Sequence, residues 1–343
     1  MKKKVNVLFS LLVILVLSAC GGETASQTDE ESSGEQKTMK LAVATSEDRS
    51  LTKGLYKFAE IIEDESGGSI QVEVYPNGQL GGDREVLEGV QLGSIEGTTV
   101  STGPVAQFSP RFNVFDLPFL FPYNDIAYEV LDGPIGQELL TDLEEQGIIA
   151  INYWENGFRH LTNNVREVTT VEDIRGLRIR TLENDLHMDM WRELGANPTP
   201  IAYTELFTSL QQGVVEGQEN PVGNVTTMNF FEVQDYITKT GHIYNASVFM
   251  ISEVFWNSLT EEEQELIVRA AEEAKIYQRQ LNQEEDLEAF EQLKAEGMTV
   301  TELSEEEIQK FVDQVQPVYE KYSNLIDKEF VKQLLETIEE ASQ

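Results

Sequence analysis

Apolar and polar positions along this chain follow two rhythms, and the switches between them predict a mixed α/β fold. Met39 to Thr45 alternates with the period of a strand, after which Leu51, Leu55, Phe58, Ile61 and Ile62 recur at helical spacing on one face. Gly67-Gly68 ends that helix. Ile70, Val72 and Val74 against Gln71, Glu73 and Tyr75 give a period-two strand, closed by the turn Pro76-Asn77-Gly78. Leu80-Gly81-Gly82-Asp83 opens a helix carrying Val86, Leu87 and Val90, with Asp83 placed to cap it. Ile148 to Tyr153 is an apolar run of strand length. Leu177-Arg178-Ile179-Arg180 alternates strictly after a helical turn from Val171 to Arg175, so Leu177 and Ile179 face the core while Arg178 and Arg180 face away from it.

The last third is helical. Thr260-Glu261-Glu262-Glu263 is a capping box, and the apolar stripe after it runs to about Gly297 through Leu266, Ile267, Ala270, Ala274, Tyr277 and Leu281. That is long enough to cross from one lobe to another. Ser304-Glu305-Glu306-Glu307 starts a further helix, which Pro317 must bend or break. About 305 residues lie beyond position 38, too many for one core, so two lobes are expected.

The first 38 residues have a different character. Lys2-Lys3-Lys4 precedes an apolar run from Val5 to Leu17, shorter than the roughly 20 residues a membrane-spanning helix needs, and the segment reads as a secretion signal over residues 1–19. Leu17-Ser18-Ala19-Cys20 followed by Gly21-Gly22 resembles a bacterial lipoprotein processing box, in which Cys20 becomes the acylated N-terminus. Cys20 is the only cysteine in 343 residues, so once it is lipidated no disulfide or thiol nucleophile remains. Residues 20–38 are polar and without periodicity: a flexible tether holding the protein to the outer face of the cell membrane.

Charge narrows the partners. Asp plus Glu number 61 against 25 Lys plus Arg, a net −36, which repels nucleic acid and anionic membrane alike. An anionic ligand is still compatible, because surface charge is screened over about 8 Å while an arginine in a closed cleft acts at contact distance. Catalytic signatures are absent. His160, His187 and His242 lie far apart with no metal-ligand spacing, and there is no G-x-S-x-G, G-x-G-x-x-G or P-loop motif. The expectation is a protein with no catalytic residues, metal or cofactor. What stands out instead are arginines and amides near strand ends, where open α/β sheets place ligands: Tyr153-Trp154-Glu155-Asn156-Gly157-Phe158-Arg159, Gly176-Leu177-Arg178-Ile179-Arg180-Thr181, and the turn-forming cluster Gly217-Gln218-Glu219-Asn220-Pro221. A planar guanidinium holds a carboxylate by two parallel hydrogen bonds, and an asparagine adds a donor to the same oxygens.

Six segments also resemble, in order, the blocks of DctP-type solute-binding proteins, the extracytoplasmic receptors of TRAP transporters. They are Tyr75-Pro76-Asn77-Gly78-Gln79-Leu80-Gly81, Asp116-Leu117-Pro118-Phe119-Leu120-Phe121, Asn156-Gly157-Phe158-Arg159, Gly176-Leu177-Arg178-Ile179-Arg180, Gly195-Ala196-Asn197-Pro198-Thr199-Pro200 and Gly217-Gln218-Glu219-Asn220-Pro221, and the likeness covers about residues 38–325. It implies a periplasmic-binding-protein-like fold: a first α/β lobe mainly over 39–158, a second mainly over 159–246, and over 247–343 a crossover strand, the long spanning helix and C-terminal helices. It implies Arg180 as the principal carboxylate-binding arginine, Arg159 as a second basic contact and Asn220 as part of the same clamp. Tyr203 falls at an aromatic position that packs on the ligand, with a plain core role as the alternative. Asp83 and Ser101 fall where the first lobe approaches the ligand, although capping competes for Asp83. Sialic-acid-binding relatives place an acid where this chain has Ser101, which argues against that ligand.

The partners implied are a small organic anion and a small and a large TRAP permease subunit driven by an ion gradient. Two guanidinium groups suit a C4-dicarboxylate, one at each end. They equally suit a sugar acid such as glucuronate or galacturonate, its hydroxyls satisfied by Arg159, Glu155 and Asn156, and flat apolar faces on Trp154 and Tyr203 favour that ligand. A 2-oxo acid receptor, a cell-surface hydrolase and a ligand sensor are the other readings.

Overall fold

The structure, a computed structural model, describes residues 36–343. The signal segment, Cys20 and the tether as far as residue 35 lie outside the described residues.

Ten strands form among the described residues: β1 (Lys37–Ala42), β2 (Ile70–Tyr75), β3 (Gly97–Ser101), β4 (Ile148–Asn163), β5 (Arg178–Thr181), β6 (Asn197–Pro200), β7 (Gly217–Pro221), β8 (Tyr236–Lys239), β9 (Tyr244–Ser252) and β10 (Thr299–Glu302). The first lobe is the sheet β2-β1-β3-β9-β4; the second is β4-β7-β5-β6, with β8 on β4 and β10 on β8. β4 therefore belongs to both. Its first part pairs with β9, and from Arg159 onward it pairs with β7 and β8. The strand does not end in its aromatics at Tyr153, as its apolar run predicts, because a bulge between Glu155 and Gly157 re-aims it into the second lobe. Gly157, at φ +109°, supplies a backbone conformation that side chains resist. Likewise Gly217–Pro221 is not a turn but a central strand paired on both sides.

The helix Glu261–Ala295 starts on its capping box and spans 35 residues, roughly 50 Å. It packs on the helix Ser50–Glu65 of the first lobe and then on the helix Val222–Thr227 and β10 of the second. Between it and the first sheet lies one apolar core, with Trp154 stacked on Phe249 at 5.1 Å. Near the C-terminus Pro317 separates the helices Glu305–Gln314 and Gln316–Ile326, entering the second in its first turn where its missing N–H costs nothing.

Candidate functional site

Sheet register brings the key side chains together. β4 pairs Leu161 with Glu219 of β7, so Arg159, two residues along the same face, reaches diagonally to Glu219. The result is a bidentate pair: Arg159 Nε donates to Glu219 Oε2 and Nη2 to Oε1 (2.9 Å), with Nη2 also on the Glu219 carbonyl (2.6 Å). Arg159 Nη1 donates to Asn245 Oδ1 at 3.0 Å. Both partners are fully buried. Burial works against the Glu219 charge, but Arg159 and the contact with His242 Nε2 (3.0 Å) hold its carboxyl well below the usual range. Arg159 is thus neutralised by the protein itself.

Arg180 differs. β5 and β7 run parallel and place Arg180 opposite Gln218, near the carboxyl end of β5. Its Nε donates to the Ile201 carbonyl (2.8 Å), its side chain is 1 % exposed, and its buried Nη1 has no protein partner. Burial, with Arg159 beside it, brings its pKa down to about 10, so it remains charged at neutral pH.

Next to it the lobes leave a cavity of about 20 Å3, bounded among others by Asp83, Ser101, Asn156, Arg159, Tyr203 and Asn220. Arg180 stands beside this space rather than on its surface, within range of the charges of Asp83 and Arg159, which do line it. The wall is rich in unsatisfied hydroxyls: Thr99 Oγ1, Tyr203 Oη and Ser247 Oγ are buried without protein partners. Asn156 Nδ2 donates to Ser101 Oγ (3.1 Å), and Asn220 Nδ2 to Gln218 Oε1 (2.5 Å). The lobes are shut over the space, with Gln107 Nε2 of the first donating to the Glu183 carbonyl of the second (2.8 Å), and Asn184 Nδ2 of the second to the Gly103 carbonyl of the first (2.9 Å).

Three expectations are corrected. Asp83 does not cap its helix: Gly82 holds the cap position without a side-chain bond, and the Asp83 carboxyl faces the enclosed space, where burial pushes its pKa up to about 6 against the pull of Arg180. Glu155 does not line the site; it turns the other way and accepts from Asn124 Nδ2 (2.9 Å) and Tyr128 Oη (2.5 Å). Trp154 offers no face to a ligand, being buried on Phe249 with its Nε1 on Asn152 Oδ1 (2.9 Å). Thr99 and Ser247 escaped the sequence reading, although a signal existed for one of them: in β3, period two puts Thr99 on the same face as Ser101. Asn224, which also lines the space, carried no local signal in the sequence.

A shut two-lobed α/β cleft, with one buried guanidinium nitrogen unpartnered beside hydroxyls and amides, defines a binding protein for a small oxygen-rich anion. The chain belongs to the bacterial extracellular solute-binding protein family 7, DctP, which matches residues 41–325. The sugar acid binding protein DctPAm from Advenella mimigardefordensis, solved in complex with galactonate, is 37 % identical with a TM-score of 0.88, covering 90 % of this chain and 99 % of that one. A TRAP periplasmic solute binding protein from a Polaromonas species, bound to D-erythronate, is 35 % identical with a TM-score of 0.85, covering 88 % and 98 %. The C4-dicarboxylate-binding protein DctB from Bacillus subtilis is 31 % identical over 309 residues, 90 % of this chain and 88 % of that protein. The protein is therefore an extracytoplasmic TRAP solute receptor for small organic acids, a transport protein and not an enzyme.

Proposed function

We propose that the ligand is a sugar acid, a monocarboxylate carrying several hydroxyls such as an aldonate or uronate, held by its carboxylate on Arg180 and passed to membrane permease subunits. The observation that carries this reading is the unequal state of the two arginines. Arg159 is spent on Glu219, whereas Arg180 keeps Nη1 without a protein partner, so one cation remains for one carboxylate. The formal charges of Arg159, Arg180 and Glu219 sum to +1, which one carboxylate balances, so a second enters uncompensated and beside the Asp83 carboxyl. Hydroxyls fare better, since Thr99, Tyr203 and Ser247 offer groups of the right kind and a buried polar group left unpaired costs about 1–3 kcal/mol. The galactonate and D-erythronate carried by the two solved relatives are ligands of this kind. Closure strips water from the bound anion and strengthens its charge-assisted bonds, and the shut form is the one the permease recognises. Lipid on Cys20 keeps the receptor at the outer face of the membrane.

A thermal-shift screen over aldonates, uronates, C4-dicarboxylates and 2-oxo acids tests this. A ligand at 100 times its dissociation constant adds about 2.7 kcal/mol of stability. Sugar acids are expected to raise the melting temperature and succinate to leave it unchanged; the reverse order overturns the reading.

A further inference from the structure

Outside the carboxylate clamp, one buried arginine joins every part of the molecule that must come together when the cleft shuts. Arg49 immediately precedes the helix Ser50–Glu65, and its side chain is fully buried. Its donors go to four different segments. Nη1 meets Ser50 Oγ (2.7 Å) and the Glu285 carboxylate of the spanning helix, Nη2 meets the Asn156 carbonyl at the β4 bulge (2.6 Å), and Nε meets Asn224 Oδ1 in the second lobe (2.8 Å). A planar fork is required to serve acceptors spread in this way, and lysine has none.

The last of these bonds has a further consequence. With Asn224 Oδ1 turned to Arg49, its Nδ2 faces the opposite way, onto Asn220 Oδ1 (3.2 Å) and Asn156 Oδ1 (3.4 Å). Both of those amides line the enclosed space, as Asn224 does itself. Arg49 thereby sets the orientation of the amide row without lining the space. Its approach to the second lobe is also tight: a Cβ on Gly223 would sit 2.6 Å from Arg49 Nη1 and 2.7 Å from Cζ, so a glycine is needed where the fork passes.

We infer that Arg49 is a positioning residue that latches the closed cleft, tying the first lobe to Asn224 of the second and orienting the ligand-facing amides as it does so. Its bonds to Ser50, Asn156 and Glu285 survive opening, because they lie within the first lobe, the shared strand and the spanning helix. The bond to Asn224 and the contact with Gly223 exist only when the lobes meet. Arg49 therefore acts on the residence time of the ligand.

The inference rests on closure around a small acid, and the test separates the two. Wild type, Arg49→Met and Gly223→Ala are titrated with D-galactonate and, in parallel, with succinate; dissociation rates and ligand-free melting temperatures are measured. Gly223→Ala is the decisive variant. It lies in a helix, where alanine is favoured over glycine, and its Cβ meets Arg49 in the shut form. The expected result is at least tenfold faster dissociation of the probe that binds wild type in both variants, with the association rate little changed and the ligand-free melting temperature of Gly223→Ala at or above that of wild type. Dissociation within twofold of wild type in both variants overturns the latch. So does a loss of ligand-free stability in Gly223→Ala, which places the contact in the open form as well. Binding of succinate but not galactonate sinks the sugar-acid reading alone, since the latch is then read from succinate; binding of neither overturns both.

Discussion

Ligand affinity should depend on pH through Asp83. In the shut form burial raises its carboxyl pKa from 3.8 to about 6, with Arg180 and Arg159 pulling in the other direction. Opening returns the group to water and to its ordinary range. Below about pH 4 the carboxyl is protonated in both forms and contributes nothing. Between about 4 and 6 the shut form holds a proton that the open form has released, so closure takes one up and affinity falls as pH rises. Above that window both forms are ionised and the cost of burying the charge is constant. At about 1.4 kcal/mol per pH unit, a rise from 3.8 to about 6 sets a ceiling of about 3 kcal/mol, near 100-fold in affinity. The side chain keeps some solvent contact, which lowers this figure, and the half of the window above pH 5 should give about tenfold. Calorimetric titration of D-galactonate from pH 5 to 8 measures it: wild type weakens and then levels off, while Asp83→Asn is flat. A wild-type profile that is flat over this range, or an Asp83→Asn profile that keeps the slope, refutes the argument.

Two further expectations concern the scaffold. Gly157→Ala places a Cβ at φ +109°, 3.1 Å from Asp286 Oδ2, and should cost about 1–3 kcal/mol in urea unfolding; a change below about 0.5 kcal/mol would show that the bulge relaxes freely. Trp154→Phe should destabilise the first-lobe core by about 1–3 kcal/mol yet leave galactonate affinity within twofold, whereas a large affinity loss would return Trp154 to the ligand.

Much of this architecture was legible in the sequence wherever a local rule applied. The strand Ile70–Tyr75 forms where its period-two sequence predicts, burying Ile70 and Val72 around an exposed Gln71, and the capping box at Thr260 fixed the start of the spanning helix. The rhythm of β4 failed at Gly157 because a bulge shifts the pleat by one residue, which no alternation pattern anticipates. Gly217–Pro221 reads locally as a turn, but pairing on both sides overrides the weak strand preference of Gly, Asn and Pro. The site divides in the same way. Arg180, Arg159 and Asn220 were visible through their blocks; that Arg159 is already neutralised by Glu219 depends on cross-strand register, and Arg49 meets Asn224 across 175 positions of sequence.

The central claim is that the Arg180 guanidinium holds the ligand's carboxylate. Calorimetry of D-galactonate binding to wild type and Arg180→Lys at pH 7.5 tests it most directly, because lysine keeps the charge and loses the fork. One charge-assisted hydrogen bond is worth about 1.5–3 kcal/mol, so affinity should fall at least tenfold while the variant stays folded. Equal affinity in the two proteins would contradict the account.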